Sequence, residues 1–237
     1  MKVLVYKDAQ TVAQAAAMVF AAEIMGREQT VIGLATGATP LPTYKELVRL
    51  YDEGLVDFSG VTSFNLDEYI GLDPDHPCSY RRYMDENLFS HINIPRARAI
   101  VPDGVSPDPA AFDRMIADAG GIDLQLLGIG SNGHIGFNEP ADEFVYPSNI
   151  VPLTENTIRD NARFFDSIDD VPKTAISMGI GTILSARRIV LIATGAGKAD
   201  AIAAAVNGPI RPQMPASILR THHDCLLLLD KDAASKL

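Results

Sequence analysis

The feature that most constrains this chain is an alternation: short runs rich in β-branched residues give way repeatedly to longer segments with helical periodicity. Strands flanked in this way by helices assemble into a mostly parallel sheet whose two faces are covered. Strands are predicted at Val3–Tyr6, Val31–Ala35, Val61–Leu66, Ala99–Val101, Asp123–Ile129, Ile150–Leu153, Ala175–Ser177, Arg188–Thr194 and Cys225–Asp230. After the first of these, Asp8 is suited to cap a helix that recurs apolar at Val12, Ala15, Ala16, Val19 and Ile24 along one face. Further helices are expected at Leu41–Glu53, Tyr80–Leu88, Pro107–Ala119, Thr154–Ala162 and Lys198–Asn207. The expected fold class is α/β, a single open, mostly parallel twisted sheet with helices on both faces. At 237 residues the chain suits one large domain, residues 1–237, and neither a repeat nor a low-complexity tract interrupts it.

A net charge of −10 argues against a broad basic surface for nucleic acid. A small anion would need a local site of backbone amides, Lys and Arg instead. No apolar stretch reaches membrane-spanning length and the amino terminus does not read as a signal peptide, so a cytoplasmic protein with no membrane partner is expected. Cys78 and Cys225 are far apart with no further cysteine, which suggests neither a disulfide framework nor a cysteine metal site.

Four segments carry candidate chemistry. Gly33 through Pro40 is a strand running into a glycine-containing turn and a helix start, so the amides and hydroxyls of Thr36, Gly37, Ala38 and Thr39 would converge where a phosphate can sit. An ordinary tight βα turn explains the same pattern, and it matches neither the Walker nor the dinucleotide motif. Thr194-Gly195-Ala196-Gly197-Lys198 repeats the arrangement with Lys198 in a helix's first turn, a placement that a bound anion makes favourable and that a solvated lysine explains equally. Asp67 and Glu68 follow the third strand, where carboxylates are well placed for proton transfer but are also explained by helix capping or simple solvation. Gly130 through Pro140 is irregular, follows a strongly apolar strand and sets His134 among glycines, with Glu139 near enough to polarise the ring. None of the five histidines has the paired helical spacing of a zinc enzyme, so no metal and no cofactor is expected.

Together these segments resemble the glucosamine-6-phosphate deaminase family, also called the glucosamine-6-phosphate isomerases. The resemblance runs through Leu34–Pro40, Asn65-Leu66-Asp67-Glu68-Tyr69, Gly130 through Pro140, Ser177–Thr182 and the Lys198 turn. The block Gly133-His134-Ile135-Gly136-Phe137-Asn138-Glu139-Pro140 is its most specific part. The resemblance implies a Rossmann-like fold of the sugar-phosphate isomerase type and conversion of glucosamine 6-phosphate and water to fructose 6-phosphate and ammonia, in amino-sugar catabolism. Asp67 matches the base that moves the C2 proton towards C1, His134 the residue assisting ring opening, and Glu139 its acidic partner. Thr36, Gly37, Ala38, Thr39, Arg163 and Lys198 match the positions that hold the phosphate; without the resemblance, Arg163 is an unremarkable arginine.

Asn132 stands where some members carry a catalytic-network Asp, and an amide stabilises a protonated His134 less than a carboxylate does. Longer members extend further at the carboxyl terminus and form hexamers activated by an N-acetylated sugar phosphate, so assembly and allosteric control do not carry over. A 6-phosphogluconolactonase is the nearest alternative, but that family follows its His with a Ser-Leu-Phe-Pro type sequence rather than Phe137-Asn138-Glu139-Pro140. A galactosamine-6-phosphate deaminase differs by one or two hydrogen bonds in the pocket. A non-catalytic sugar-phosphate sensor could dispense with Asp67, His134 and Glu139, which are all present.

Overall fold

In a computed structural model the described residues form ten strands, β1 (Lys2–Tyr6), β2 (Thr30–Leu34), β3 (Val61–Asn65), β4 (Asp67–Tyr69), β5 (Ala99–Ile100), β6 (Leu124–Leu127), β7 (Asn149–Pro152), β8 (Thr174–Ser177), β9 (Arg188–Ala193) and β10 (Cys225–Asp230). The α-helices are α1 (Ala9–Met25), α2 (Leu41–Asp52), α3 (Tyr80–Asn87), α4 (Pro109–Asp118), α5 (Glu155–Asn161), α6 (Ile180–Leu184) and α7 (Ala199–Asn207). The structure describes residues 1–162, 165 and 167–237. Among them no helix is long and apolar enough to cross a membrane.

Seven strands form one sheet in the order β1-β10-β9-β6-β2-β3-β5, parallel at each pairing. The chain steps one way along it from β1 through α1 to β2 and through α2 to β3. It then steps back from β5 through α4 to β6 and from β9 through α7 to β10. Right-handed crossovers therefore place α1 and α2 on one face and α4 and α7 on the other. The packing agrees: α1 lies against α2, while Phe64 of β3 meets Phe112 of α4 edge to face at 5.9 Å. Strands β2 and β6 are buried along their whole length, as covering on both faces requires.

The expected open parallel sheet is thus present, and each expected strand and helix lies within a few residues of its predicted place. A second sheet was not expected. Here β4, β8 and β7 pair antiparallel, so Ile150–Leu153 and Ala175–Ser177, anticipated as parts of one sheet, correspond to strands of this smaller one. The burial of β7 explains the difference, because Ile150 and Pro152 are exposed while Asn149 and Val151 are half-buried. A strand wetted on one side belongs to a peripheral antiparallel sheet rather than to a doubly covered one.

Local chemistry sets the ends of the helices. Asp8 caps α1 as predicted, accepting from the Thr11 amide at 2.8 Å. Asp108, with proline following it, starts α4 two residues later than the sequence suggested, and Thr154 caps α5.

At the amino end of the sheet, buried Asp123 accepts from the Val31 amide at 2.8 Å, from Arg27 at 2.9 Å and from Arg187 at 2.7 Å. Both arginines are about half exposed and can rehydrate, so the Val31 amide is the group a truncation would strand. Asp123→Ala should therefore cost about 1–3 kcal/mol of stability, read as a lower urea midpoint at unchanged slope; an unchanged midpoint would remove this anchor from the account.

Candidate active site

Because the crossovers reverse between β2 and β6, the loops leaving these neighbouring strands diverge and open a crevice at their carboxyl ends. A cleft of about 390 Å³ lies there, within the range of small-ligand sites. Its walls bring together Thr36, Gly37, Ala38 and Thr39 after β2, Asp67 after β3, His134 after β6 and Lys198 after β9. Arg163 lies outside the described residues.

Asp67 sits at the junction of the two sheets. Leu66 donates its amide to Leu34 in the large sheet and accepts from the Met178 amide in the small one, and Asp67 then pairs with Ser177 of β8. The Asp67 carboxyl is buried at the floor of the cleft, with no hydrogen-bond donor reaching it among the described residues. Burial, and then the neighbouring Glu68 charge, push its pKa up to about 8. Glu68 is occupied elsewhere. Its carboxylate accepts from the amides of Tyr69 at 2.8 Å, Tyr80 at 2.9 Å and Arg81 at 2.9 Å, which ties it to the start of α3. Adjacent carboxylates in the sequence thus have separate tasks, one facing the cleft and one holding a helix.

The Gly130–Pro140 segment folds back on itself. The Gly130 amide donates to the His134 carbonyl at 2.9 Å, and the imidazole lies flat on Gly130, where an added Cβ would stand 2.4 Å from the ring. Only glycine permits this close approach. Behind the ring, Nδ1 of His134 lies 3.4 Å from Glu139 Oε1, a long contact that a charged ring or bound substrate would tighten. Asn132 bridges the pair, donating to Glu139 Oε2 at 2.6 Å while its own oxygen accepts from the His134 amide at 3.1 Å. A carboxylate at position 132 could not make the first bond without a proton.

Burial pushes the Glu139 pKa up, but His134 and the hydrogen bonds from Thr157 and Asn132 outweigh it and bring it down to about 2. Glu139 lines a second cavity and is not among the residues lining the cleft. Two contributors escaped the sequence reading. Thr157 of α5 lines the cleft and donates to Glu139, and Tyr80 of α3 lines it while its hydroxyl donates to Tyr69 at 3.2 Å. Neither stands in a recognisable motif; only the packing of the small sheet and of α3 brings them in.

The Thr36–Thr39 turn is braced from beneath. Tyr44 of α2 donates its hydroxyl to the Ala35 carbonyl, and Tyr83 of α3 donates to the Gly37 carbonyl at 2.7 Å. With those carbonyls bonded to tyrosines and the Thr36 side chain engaged by Tyr80, the turn's amides and the Thr39 hydroxyl are the groups left for an anion. Among the described residues no group of three or more His, Cys, Asp or Glu side chains is placed to hold a metal ion.

The chain is similar in sequence and fold to known proteins. The family model described as glucosamine-6-phosphate isomerases/6-phosphogluconolactonase matches residues 7–228. A glucosamine-6-phosphate deaminase of Clostridium perfringens (strain SM101 / Type A) is 50% identical over 241 residues, covering 100% of both chains. One from Cellvibrio japonicus is 51% identical over 100% of this chain and 92% of its own. Among solved structures, a monomeric glucosamine-6-phosphate deaminase superposes with a TM-score of 0.97 at 43% identity, over 100% of both chains. A 6-phosphogluconolactonase of Trypanosoma brucei shares the fold, with a TM-score of 0.74 at 22% identity over 100% of this chain and 98% of that one.

The raised Asp67 pKa has a consequence for stability. Folded, the carboxyl holds its proton up to about pH 8, whereas unfolded it loses it near the usual value of 3.8. The native state binds more protons between those limits, so this residue withdraws stability as pH rises through that window. Asp67→Asn, which carries no charge, should gain on wild type between pH 5 and pH 9 in thermal melts. A difference in Tm that stays constant with pH would show that Asp67 is ionised throughout.

Proposed function

The chain belongs to the family of glucosamine-6-phosphate isomerases and 6-phosphogluconolactonases, on its deaminase side, and from that premise we propose that the cleft converts glucosamine 6-phosphate and water to fructose 6-phosphate and ammonia. The observation that carries this reading is a buried carboxyl in the cleft, Asp67, with His134, the Thr36–Thr39 turn and Lys198 on the same walls and Glu139 behind the histidine. Curated relatives about 50% identical over the full length bear the deaminase name. The Phe137-Asn138-Glu139-Pro140 sequence, which supplies the His134 partner, separates the site from the lactonase pattern.

The sugar phosphate enters with its phosphate between the Thr36–Thr39 turn and Lys198, joined by Arg163. That anchor fixes the reacting carbons against Asp67 and spends remote binding energy on alignment. His134, held in orientation by Glu139 and Asn132, moves the proton that opens the pyranose ring. Asp67 then takes the C2 proton and returns it at C1, leaving an imine at C2 that water hydrolyses to the ketone and ammonia. C1 is reduced as C2 is oxidised within the same molecule, so the reaction needs no external electron acceptor.

Burial suits Asp67 to this task. In the empty cleft its raised pKa leaves much of it protonated at neutral pH, and the substrate's ammonium on C2 supplies the positive charge that favours the carboxylate. Desolvation then makes that carboxylate a stronger base than an exposed one. Accordingly kcat/KM should fall as pH drops below about 8, while kcat should hold to lower pH because bound substrate lowers the pKa.

Asp67→Asn should fold and bind substrate yet lose nearly all ammonia release and C2 exchange with deuterated solvent, a drop of about 10²–10⁴-fold as expected for loss of a proton-transfer group. Glu68→Gln should keep the exchange chemistry, at some cost in stability. Exchange at the wild-type rate without Asp67 would move the base elsewhere. Lys198→Ala should raise KM for the phosphorylated sugar by about 1.5–3 kcal/mol of binding energy; equal binding of glucosamine and its phosphate by wild type would refute the phosphate assignment.

A further inference from the structure

The Lys198 turn has a support that does not touch the cleft. Gly195 adopts φ 84° and ψ 152°, a conformation glycine alone takes without strain. An added Cβ there would meet nothing within 4 Å, so the backbone angle, and not crowding, calls for glycine. What holds the angle is Asp230, the last residue of β10. Both of its carboxylate oxygens accept the Gly195 amide, at 3.0 and 2.9 Å, and one also accepts the Ala233 amide at 2.8 Å. Asp230 is only 6% exposed, and its own carbonyl receives the Ala234 amide at 3.0 Å. The same side chain therefore closes the turn after β10 and grips the turn after the adjacent β9.

From Gly195 the chain makes one tight turn, with the Lys198 amide donating back to the Gly195 carbonyl at 3.1 Å, and delivers Lys198 to the wall of the cleft at the entry to α7. A carboxylate behind an anion-binding turn is electrostatically adverse to a bound phosphate. Its presence makes sense if the rigidity it gives outweighs the repulsion: with the Gly195 amide fixed inward, Lys198 is delivered in one geometry instead of being ordered on binding.

We propose that Asp230 is a positioning residue for substrate phosphate, setting the Lys198 turn through the Gly195 amide; this rests on the reading of that turn as part of the phosphate clamp. Asp230 touches no reacting atom, so its loss weakens capture of the phosphate far more than it slows the proton transfers at Asp67 and His134.

The test compares wild type, Asp230→Asn, Asp230→Ala, Lys198→Ala and Asp123→Asn in KM and kcat for glucosamine 6-phosphate, in the inhibition constant of inorganic phosphate, and in Tm. Asp230→Ala should raise KM and the phosphate constant together by about tenfold, with kcat within about twofold of wild type. Asp230→Asn keeps one acceptor oxygen and should shift both in the same direction by less; should the alanine variant fail to fold, the asparagine variant decides alone. Asp123→Asn loosens the opposite end of the sheet, and it should lower Tm with both binding constants unchanged. Unaltered KM and phosphate inhibition in the Asp230 variants would overturn the proposal. So would tighter binding by Asp230→Asn, which would show repulsion to be the dominant effect, or a loss confined to kcat. If Lys198→Ala is defective while the Asp230 variants match wild type, only the role of Asp230 fails; if Lys198→Ala also matches wild type, the phosphate assignment of the turn fails and takes this proposal with it.

Discussion

The reversal of crossover direction between β2 and β6 is the constraint on which the rest of the molecule depends. A parallel sheet has its carboxyl ends along one edge, and loops leaving two neighbouring strands towards opposite faces cannot close over the gap between them. Thr36–Thr39, Asp67, His134 and Lys198 come from four separate strand ends, and each is brought to that gap by the strand before it. The rigidity of the site follows from the same source, since β2, β6 and most of β9 are buried on both sides and their register cannot slip without exposing an apolar face.

Burial is also what differentiates chemically similar groups in the site. Asp67, Glu68 and Glu139 are all carboxylic acids on two short stretches of chain. Asp67, without a donor among the described residues, is pushed towards the neutral form; Glu139, with donors from Asn132 and Thr157 beside His134, is held ionised; Glu68 is engaged by three backbone amides. The number and kind of donors within reach decide the task of each.

Much of this was legible in the sequence because it rests on local pattern. The large sheet announces itself through continuous apolar runs such as Leu124–Leu127 and Cys225–Asp230, and the α1 cap through Asp8. The strand ends carrying Thr36–Thr39, Asp67, His134 and Lys198 were found from glycines and polar residues next to such runs. The rest depends on long-range pairing. The three residues of β4 show no strand pattern of their own and are defined by β8, more than a hundred positions away; five-residue α6 is too short for periodicity to report. The separation of Asp67 from Glu68 likewise rests on where the start of α3 packs, and the contribution of Thr157 on how α5 folds back over Glu139. Asp230 reads simply as the polar end of an apolar strand, because its partner Gly195 is named by the sheet order alone.

Leu66 has a broader meaning in this light. Its amide belongs to one sheet and its carbonyl to the other, so a single peptide plane on each side of this residue splices the large parallel scaffold to the small antiparallel one. The excursion from β7 through α5 to β8 returns to the scaffold through this splice, through the α6 amides bonded to Val145 and Tyr146, and through Asp113 of α4, which receives Ser148 and Thr182. These ties hold the two ends of the excursion, and between them Thr157 of α5 reaches back to Glu139. Such wiring makes the molecule modular: the excursion can change length or composition between its fixed ends while Asp67 stays anchored to the splice at Leu66.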